Sequence, residues 1–393
     1  AAPARCHSVP PGTELQPLLD DARDGEAFCL AAGTYRGPLR ITRSVTLWGP
    51  RTAVLRAGDA GTTVRLDAPG AALLGLRVDG SGSRFDQLDA AVRVGADGVR
   101  VEGVEVTGAL FGILVEQARR VTLRGNEVEG DASAPLGMRG DGIRLWEVRE
   151  SRIEANRIRD GRDLVVWYSP GNTITSNHVT GGRYGTHFMY SHGNAIRDNR
   201  YVGNVVGLFL MYSRDIEVRG NVLRDAQGAA GVGLGAKESG GLEVTANVFR
   251  GNTIGAYLDT SPLDLERHNR FERNAFELCG SAVVFHGGAA RNAFHDNAFR
   301  VNDVVVRVEG RGSALDARWL GNAFDDYAGY DLDGDGFGDV PYELRSLGQQ
   351  LTSRFPELRF FLGTPALALV ELVGRVVPAF QPPRLLVDPQ PRL

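Results

Sequence analysis

Along most of the chain, apolar residues alternate with polar ones in runs of three or four positions, and Gly, Asn, Ser and Asp separate the runs. Alternation at period two is typical of short β-strands, and the separating residues are typical of turns. An Asn-any-apolar triplet repeats with steps near 22 residues, at Asn126, Asn156, Asn177, Asn199, Asn221, Asn247 and Asn297. Three short strands in each repeat predict an all-β fold, a right-handed parallel β-helix whose coils stack one on the next.

The repeated asparagine has a structural explanation. Inside a stack of turns, each side-chain amide can bond the equivalent amides of the neighbouring coils, and asparagine tolerates a left-handed backbone. A helical solenoid is the competing repeat fold, but these repeats are rich in glycine and lack an apolar period of 3.6 residues. We therefore expect the asparagines to form a ladder along a β-helix.

The two ends of the chain depart from the repeat. Residues 1–34 include a short amphipathic segment at 13–23 and are predicted to cap the first coil, since the end of a stacked fold must be covered. Residues 35–344 are predicted to form the β-helix. Residues 345–393, which are rich in proline and apolar residues, are predicted to form an extended or helical tail that leaves it.

Composition narrows the possible partners and compartments. The 393 residues carry a net charge of −4, Lys237 is the only lysine and no basic stripe occurs, which excludes a typical nucleic-acid binder. The sequence contains no run of eighteen apolar residues, so it predicts no membrane-spanning helix. The start at Ala1 without methionine favours a secreted chain whose signal peptide has been removed. Cys6 and Cys29 could pair in an oxidising compartment, leaving Cys279, or could remain thiols.

One column of the predicted β-helix is apolar although alternation points it outward. Ten residues before successive repeat asparagines stand Trp146, Trp167, Met189 and Met211, and His187 lies on the same face two residues before Met189. The third methionine of the chain, Met138, lies in the extra length of the longest coil, on a segment that could fold over the column.

Two interpretations of this column remain open. A large apolar patch on an outer face usually marks a surface covered by the tail or by another protein. Alternatively, the thioethers of Met189, Met211 and Met138 with the imidazole of His187 form a soft-metal site selective for Cu(I), and the Trp167 ring shields the ion.

An acidic segment near the end of the repeat resembles a calcium loop. Asp331, Asp333, Asp335 and Asp339 occupy positions 1, 3, 5 and 9, and a glycine occupies the sharp-turn position 6. Position 12 is Tyr342 rather than the expected glutamate, so an ordinary EF-hand is not completed. A structural Ca²⁺ or Mg²⁺ ion within residues 331–343 is one interpretation, and a solvated acidic turn is the other.

These features together resemble the NosD family of nitrous oxide reductase maturation proteins, over essentially the whole chain. The segments that carry the resemblance are Ala32–Leu39, Thr46–Gly49, Gly185–Ser191, Gly207–Ser213, the acidic loop through Tyr342 and the tail from Phe355 to Pro391.

The resemblance implies a periplasmic, non-enzymatic partner of an ABC transporter formed by the ATPase NosF and the permease NosY. Its Cu(I) cargo would come from a copper chaperone and serve the copper sites of nitrous oxide reductase, and contact with the membrane would be only through the permease. The tail would then dock on the permease through Phe360, Phe361, Leu362, Leu369, Leu372 and Val373. A tail that folds back on the β-helix is the alternative.

An enzyme acting on uronate polysaccharides is the rival class, because parallel β-helices also host lyases, epimerases and hydrolases. Paired carboxylates or a basic residue near calcium would be needed. The candidate carboxylates near the outward strand are Asp141, Asp163, Glu238 and Asp259.

Overall fold

The computed structural model describes residues 3–58, 61–310, 312–348, 351, 355–361, 364–376, 382 and 384–393. The chain divides into two compact units, Ala1–Phe209 and Leu210–Leu393. Each unit is a parallel β-helix of short strands, so the predicted all-β fold class is confirmed.

In the first unit, after the initial strand His7–Val9, successive coils contribute strands to three parallel sheets, which we name A, B and C. The sheet A strands are His7–Val9, Ala27–Leu30, Thr46–Trp48, Ala72–Leu74, Arg100–Glu102, Thr122–Arg124, Arg152–Glu154, Thr173–Thr175 and Ala195–Arg197. The sheet B strands are Gly33–Arg36, Ala53–Arg56, Arg77–Asp79, Glu105–Thr107, Glu127–Glu129, Arg157–Arg159, His178–Thr180 and Arg200–Val202. The sheet C strands are Leu39–Ile41, Val64–Leu66, Ala90–Val94, Phe111–Glu116, Ile143–Trp146, Asp163–Trp167 and Tyr184–Met189.

The strand Val206–Met211 crosses from the first unit into the second, which has the same three-sheet construction. Its sheet A strands are Arg214–Arg219, Gly240–Thr245, Asn269–Glu272, Asn292–His295 and Arg318–Leu320. Its sheet B strands are Val222–Arg224, Val248–Arg250, Ala275–Glu277, Ala298–Arg300 and Ala323–Phe324. Its sheet C strands are Val232–Lys237, Ile254–Asp259, Ser281–His286 and Val304–Glu309.

The predicted asparagine ladder is present in both units. In the first, the Asn156 side-chain amide donates to Asn177 Oδ1 at 2.9 Å, and Asn177 in turn donates to Asn199 Oδ1 at 3.0 Å. The left-handed backbone, however, falls on the residue before each asparagine, as at Ala155 and Ser176. The asparagine itself is buried, and its side chain bonds the neighbouring coils. The left-handed conformation expected at the asparagine therefore occurs one residue earlier.

The amino-terminal segment combines a cap with the first coils. The helix Leu15–Asp20 buries Leu15 and Leu19, and Gln16 exchanges hydrogen bonds with the backbone of Arg40. Cys6, directly before the strand His7–Val9, forms a disulfide with Cys29 of the neighbouring strand Ala27–Leu30. The parallel pairing therefore begins at His7–Val9, inside the segment 1–34 that was predicted to be cap alone.

The last ten residues return to the β-helix instead of leaving it. The strand Arg384–Asp388 pairs antiparallel with Tyr342–Arg345. The fully buried Asp388 accepts hydrogen bonds from the N–H and the side-chain amide of Asn322, at 2.9 and 2.8 Å. Asp388 thus ends the asparagine ladder, and the predicted tail boundary of 345–393 does not describe residues 384–393.

The remaining helical elements lie in loops and in the tail. They include the helix Pro365–Val376 and the 3-10 turns Leu136–Met138, Ala314–Asp316 and Pro356–Phe361. Among the residues that the structure describes, no helix has the length and apolar character needed to cross a membrane.

Candidate functional site

The outer face of sheet C in the first unit carries the apolar column that the repeat predicts. Trp146 pairs in register with Trp167, and Trp167 pairs with Met189, so the three residues are neighbours across successive strands. All three are half-buried, whereas Leu145 and Val166 on the opposite face are fully buried. The column therefore stands on the outer wall, as the alternation indicates.

His187 lies on the same wall in an aromatic surround. Its ring centre is 4.7 Å from that of Tyr184, 5.5 Å from that of Trp167 and 6.3 Å from that of Phe209. The residue is only 6% exposed, and this burial lowers the pKa of His187 to about 4. The imidazole is therefore neutral at neutral pH, which is the form that ligates metals.

A β-bulge precedes His187. Asp163 pairs with Tyr184, but the next pair is Val165 with His187, so two residues of the later strand oppose one residue of the earlier strand. Bulges are frequent beside functional sites because they redirect a side chain.

The Trp rings have a cation partner that the sequence pattern did not reveal. The guanidinium carbon of Arg144 lies 5.3 Å from the ring centre of Trp146 and 5.1 Å from that of Trp167. Trp167 can still shield an ion beside His187, since these two rings meet edge to face, but its π-electrons already interact with an arginine.

Two buried carboxylates lie at the start of these strands. Asp141 accepts a hydrogen bond from Arg162 Nε at 3.0 Å, and burial raises the pKa of Asp141 to about 6. Asp163 forms an ion pair with Arg183 and accepts a hydrogen bond from the N–H of Tyr184 at 3.1 Å. Both carboxylates are engaged by arginines.

The other two carboxylates considered for an enzyme lie in the second unit. Asp259 Oδ1 is 3.2 Å from His286 Nδ1, and Lys237 Nζ is 4.0 Å from the other carboxylate oxygen. Glu238 has a left-handed backbone at the strand end.

Met211 ends the strand Val206–Met211 and is half-buried. Its carbonyl accepts a hydrogen bond from Ser213 Oγ at 2.8 Å, and the N–H of Tyr212 donates to Lys237 O at 3.0 Å. In its own strand, Met211 holds the same terminal position that Met189 holds in the preceding sheet C strand.

Met138 lies on a loop that is fixed at the other end of the sheet C strands. Arg139 donates to Gly181 O at 3.1 Å and to Ala134 O at 2.9 Å. Gly181 precedes the strand Tyr184–Met189, whereas Met189 ends it. Met138 is 61% exposed on this loop.

The acidic loop brings three of its four predicted ligands together. Asp331, Asp333 and Asp335 each offer a carboxylate oxygen within 4.8 Å of the others. The N–H groups of Gly336 and Gly334 bond the Asp331 carboxylate, and the bond from Gly336 is the main cause that lowers the pKa of Asp331. The fourth residue, Asp339, instead accepts a hydrogen bond from Leu332 N.

The tail residues proposed for docking are exposed wherever the structure describes them. Leu369 is 62% exposed on the helix Pro365–Val376, and Phe360 is 89% exposed on the preceding 3-10 turn. Phe361, Leu372 and Val373 are exposed as well. Leu362 lies outside the described residues.

Sequence reasoning missed Tyr184 and Arg183 near His187, and the stacking of Arg144 on Trp146 and Trp167. One signal could have located the bulge. The step from Asn156 to Asn177 is 21 residues and the next step is 22, so the later coil contains one extra residue.

The family model and the named relatives that match this chain point to the same family. The model of the family described as "Periplasmic copper-binding protein (NosD)" matches residues 124–329. A protein named "Probable ABC transporter binding protein NosD" from Pseudomonas aeruginosa is 32% identical, over 93% of this chain and 88% of that protein. A protein of the same name from Stutzerimonas stutzeri is 29% identical, over 98% and 88%.

Solved structures share the fold at low identity. The A-module of a mannuronan C-5 epimerase from Azotobacter vinelandii superposes with a TM-score of 0.58 at 17% identity, covering 79% of this chain and 93% of the module. The catalytic unit of an alpha-1,3-glucanase from Streptomyces thermodiastaticus gives 0.55, also at 17% identity, covering 82% of this chain and 64% of that one. Likeness at this identity concerns the parallel β-helix alone.

Proposed function

Because this chain belongs to the NosD family of periplasmic copper-binding proteins, we propose that it binds Cu(I) on the outer face of sheet C, at His187 and Met189. The observation that carries the proposal is the presence of a neutral imidazole and a thioether on one strand, two residues apart on the same face. Soft thioether and imidazole ligands favour Cu(I) over hard cations. The half-buried Trp167 beside both residues supports the exclusion of water from the ion.

Met211 belongs to the same proposal as a sequence-based ligand, since it stands ten residues before its repeat asparagine, as Met189 does. Met138 is the weaker candidate, because its loop is anchored at the far strand end.

We expect Cu(I) to bind in about equimolar amount and to shift the methyl NMR signal of Met189. Replacing Met189 with leucine should weaken Cu(I) binding at least ~100-fold, because loss of a direct ligand should exceed the 10–100-fold cost typical of outer-shell changes. The chain contains only three methionines, so labelled methionine methyl groups give one assignable signal each. Met211→Leu tests the second ligand in the same way.

Met138→Leu tests the weaker candidate, and we expect a much smaller loss of affinity because its loop is anchored at the far strand end. Affinity that stays at the wild-type value in both Met189→Leu and Met211→Leu would reject the site.

The finer role we propose follows from the names of the relatives and from the resemblance. The protein works in the periplasm after removal of a signal peptide, in association with the NosF and NosY transporter subunits. It receives copper from a chaperone and supports assembly of the copper sites of nitrous oxide reductase. It acts without catalysis, and the names of the relatives as binding proteins support this.

The proposed docking segment is the exposed apolar part of the tail. Replacing Leu369 and Leu372 together with glutamine should reduce co-purification with the permease NosY about tenfold, since exposed apolar helix faces dock by burying their side chains. Cu(I) binding by the isolated protein should not change. Leu265→Gln, at another highly exposed leucine, is the control, and equal loss in the control would remove the tail from the interface.

The acidic loop is proposed to hold a structural Ca²⁺ or Mg²⁺ ion. Millimolar Ca²⁺ should raise the midpoint of thermal unfolding by about 3 °C, because a ligand of the folded state stabilises by mass action. Asp331→Asn combined with Asp333→Asn should abolish the increase, while Asp326→Asn, an exposed carboxylate outside the loop, should keep it. An equal increase in all three proteins would place the ion elsewhere.

A further inference from the structure

We infer that Asp163 is a positioning residue: it holds the β-bulge that keeps His187 and Met189 on the outer face of sheet C. The consequence for copper rests on the proposed function. The structural part concerns the bulge alone and can be tested without metal.

The bulge decides which residues of the strand Tyr184–Met189 face outward. With the extra residue, His187 pairs with Val165 and Met189 with Trp167, both on the outer face. If this strand kept the register of Asp163 with Tyr184 throughout, His187 would lie opposite the inward-facing Val166, and Met189 would turn toward the core. A slip of one residue exchanges the two faces of a strand, so the bulge is what places His187 and Met189 on the outer face.

Asp163 holds the outer side of the bulge. Its fully buried carboxylate accepts a hydrogen bond from the N–H of Tyr184, the residue at which the bulge begins, and forms an ion pair with Arg183. The Arg183 guanidinium lies 4.7 Å from the ring centre of Tyr184, and that ring packs on His187. Asp163 is therefore connected to His187 through the bulge backbone and through a stacked side chain.

The core side of the bulge is held by a second set of contacts. The Thr186 hydroxyl donates to the buried Tyr201 hydroxyl at 3.0 Å, which places Thr186 inward and leaves His187 outward. A Cβ on Gly185 would overlap the Tyr201 ring and Gly207 O, so only glycine fits there. The core permits the bulge, and the charged contact outside fixes where it begins.

The preceding coil provides the comparison. Asp141 is equally buried and pairs with Arg162, but the strands Ile143–Trp146 and Asp163–Trp167 keep an uninterrupted register. A buried aspartate with an arginine partner thus occurs with and without a bulge, and the contact specific to the bulged coil is that of Asp163 with the backbone of Tyr184.

The test is Asp163→Ala, which removes the acceptor of the Tyr184 N–H and is observed through the methyl signals of the three methionines. We expect the Met189 methyl signal to lose the ring-current shift produced by the neighbouring Trp167, while the Met138 signal stays in place. Asp141→Ala is the matched control, because it removes a carboxylate of the same burial one coil away, and it should leave the Met189 signal unchanged.

The same proteins are then titrated with Cu(I) against a chromogenic chelator. Affinity should fall about tenfold in Asp163→Ala and stay within twofold of wild type in Asp141→Ala. Arg183→Gln keeps the Asp163 bond to Tyr184 and should show a smaller change in the same direction, which preserves the test if Asp163→Ala does not fold. Asp163→Asn keeps an oxygen that can accept the N–H of Tyr184 and should retain more affinity than Asp163→Ala.

A wild-type Met189 signal in Asp163→Ala, or an equal displacement in Asp163→Ala and Asp141→Ala, would overturn the inference. Failure of the wild-type protein to bind Cu(I) would overturn the proposed function instead, and the methyl signals would still decide whether Asp163 positions Met189.

Discussion

Replacing Asn177 with alanine is expected to lower the free energy of unfolding by about 4 kcal/mol. The Asn177 side chain donates to Ile153 O at 2.8 Å and accepts hydrogen bonds from both the N–H and the amide of Asn156, at 2.9 Å each. All of these groups are buried, so alanine leaves several donors and acceptors without partners, at about 1–3 kcal/mol each. The loss is measured by denaturant unfolding, together with hydrogen exchange at the Asn156 amide.

Thr175→Ala is the appropriate control for Asn177→Ala. Thr175 lies two residues earlier on the outer face of sheet A and is half-buried. Its truncation should lower the free energy of unfolding by less than about 0.5 kcal/mol. Because stacked repeats can unfold in parts, hydrogen exchange should locate the change in the coils on either side of Asn177. Equal stability of the two variants would mean that the ladder contributes little beyond the strands.

Replacing Asp388 with alanine is expected to release the carboxyl-terminal strand from the last coil. Its carboxylate accepts the N–H of Gly321, and the N–H and side-chain amide of Asn322, all in the interior of the second unit. Loss of these bonds should lower the free energy of unfolding by about 3 kcal/mol and expose the buried Leu386. Limited proteolysis should then cleave after Arg384 at least ten times faster than in wild type.

Asp388→Asn separates the loss of hydrogen bonds from the loss of volume. Its amide oxygen can still accept from Asn322, while its amide nitrogen faces the N–H of Gly321, so an intermediate cleavage rate is expected. Unchanged proteolysis in Asp388→Ala would show that the pairing of Arg384–Asp388 with Tyr342–Arg345 is sufficient to hold the strand.

The fold could be predicted because its main determinant is local and repeated. The spacing of the ladder asparagines and the alternation around Leu145 and Val166 indicate both the coil and its two faces. Those offsets also placed Trp167 and Met189 on the outer wall. Each of these inferences uses residues within one or two coils, where distance along the chain corresponds directly to position in space.

The remaining features depend on contacts that no period encodes. The antiparallel strand Arg384–Asp388 joins segments about forty residues apart, so a repeat could not reveal that Asp388 ends the ladder. The stacking of Arg144 on two tryptophans and the pairing of Asp163 with Arg183 depend on long, flexible side chains. Sequence showed the residue types of the candidate site, but not what orients them.

The antiparallel pair formed by Tyr342–Arg345 and Arg384–Asp388 has a mechanical consequence for the segment between the two strands. Residues 346–383 are anchored at both ends, and their two attachment points, Arg345 and Arg384, are themselves a pair in the antiparallel ladder. A force applied to the helix Pro365–Val376 would therefore break the strand pairs one after another, beginning with Arg345 and Arg384. The pair of Tyr342 with Asp388, at the opposite end, would break last.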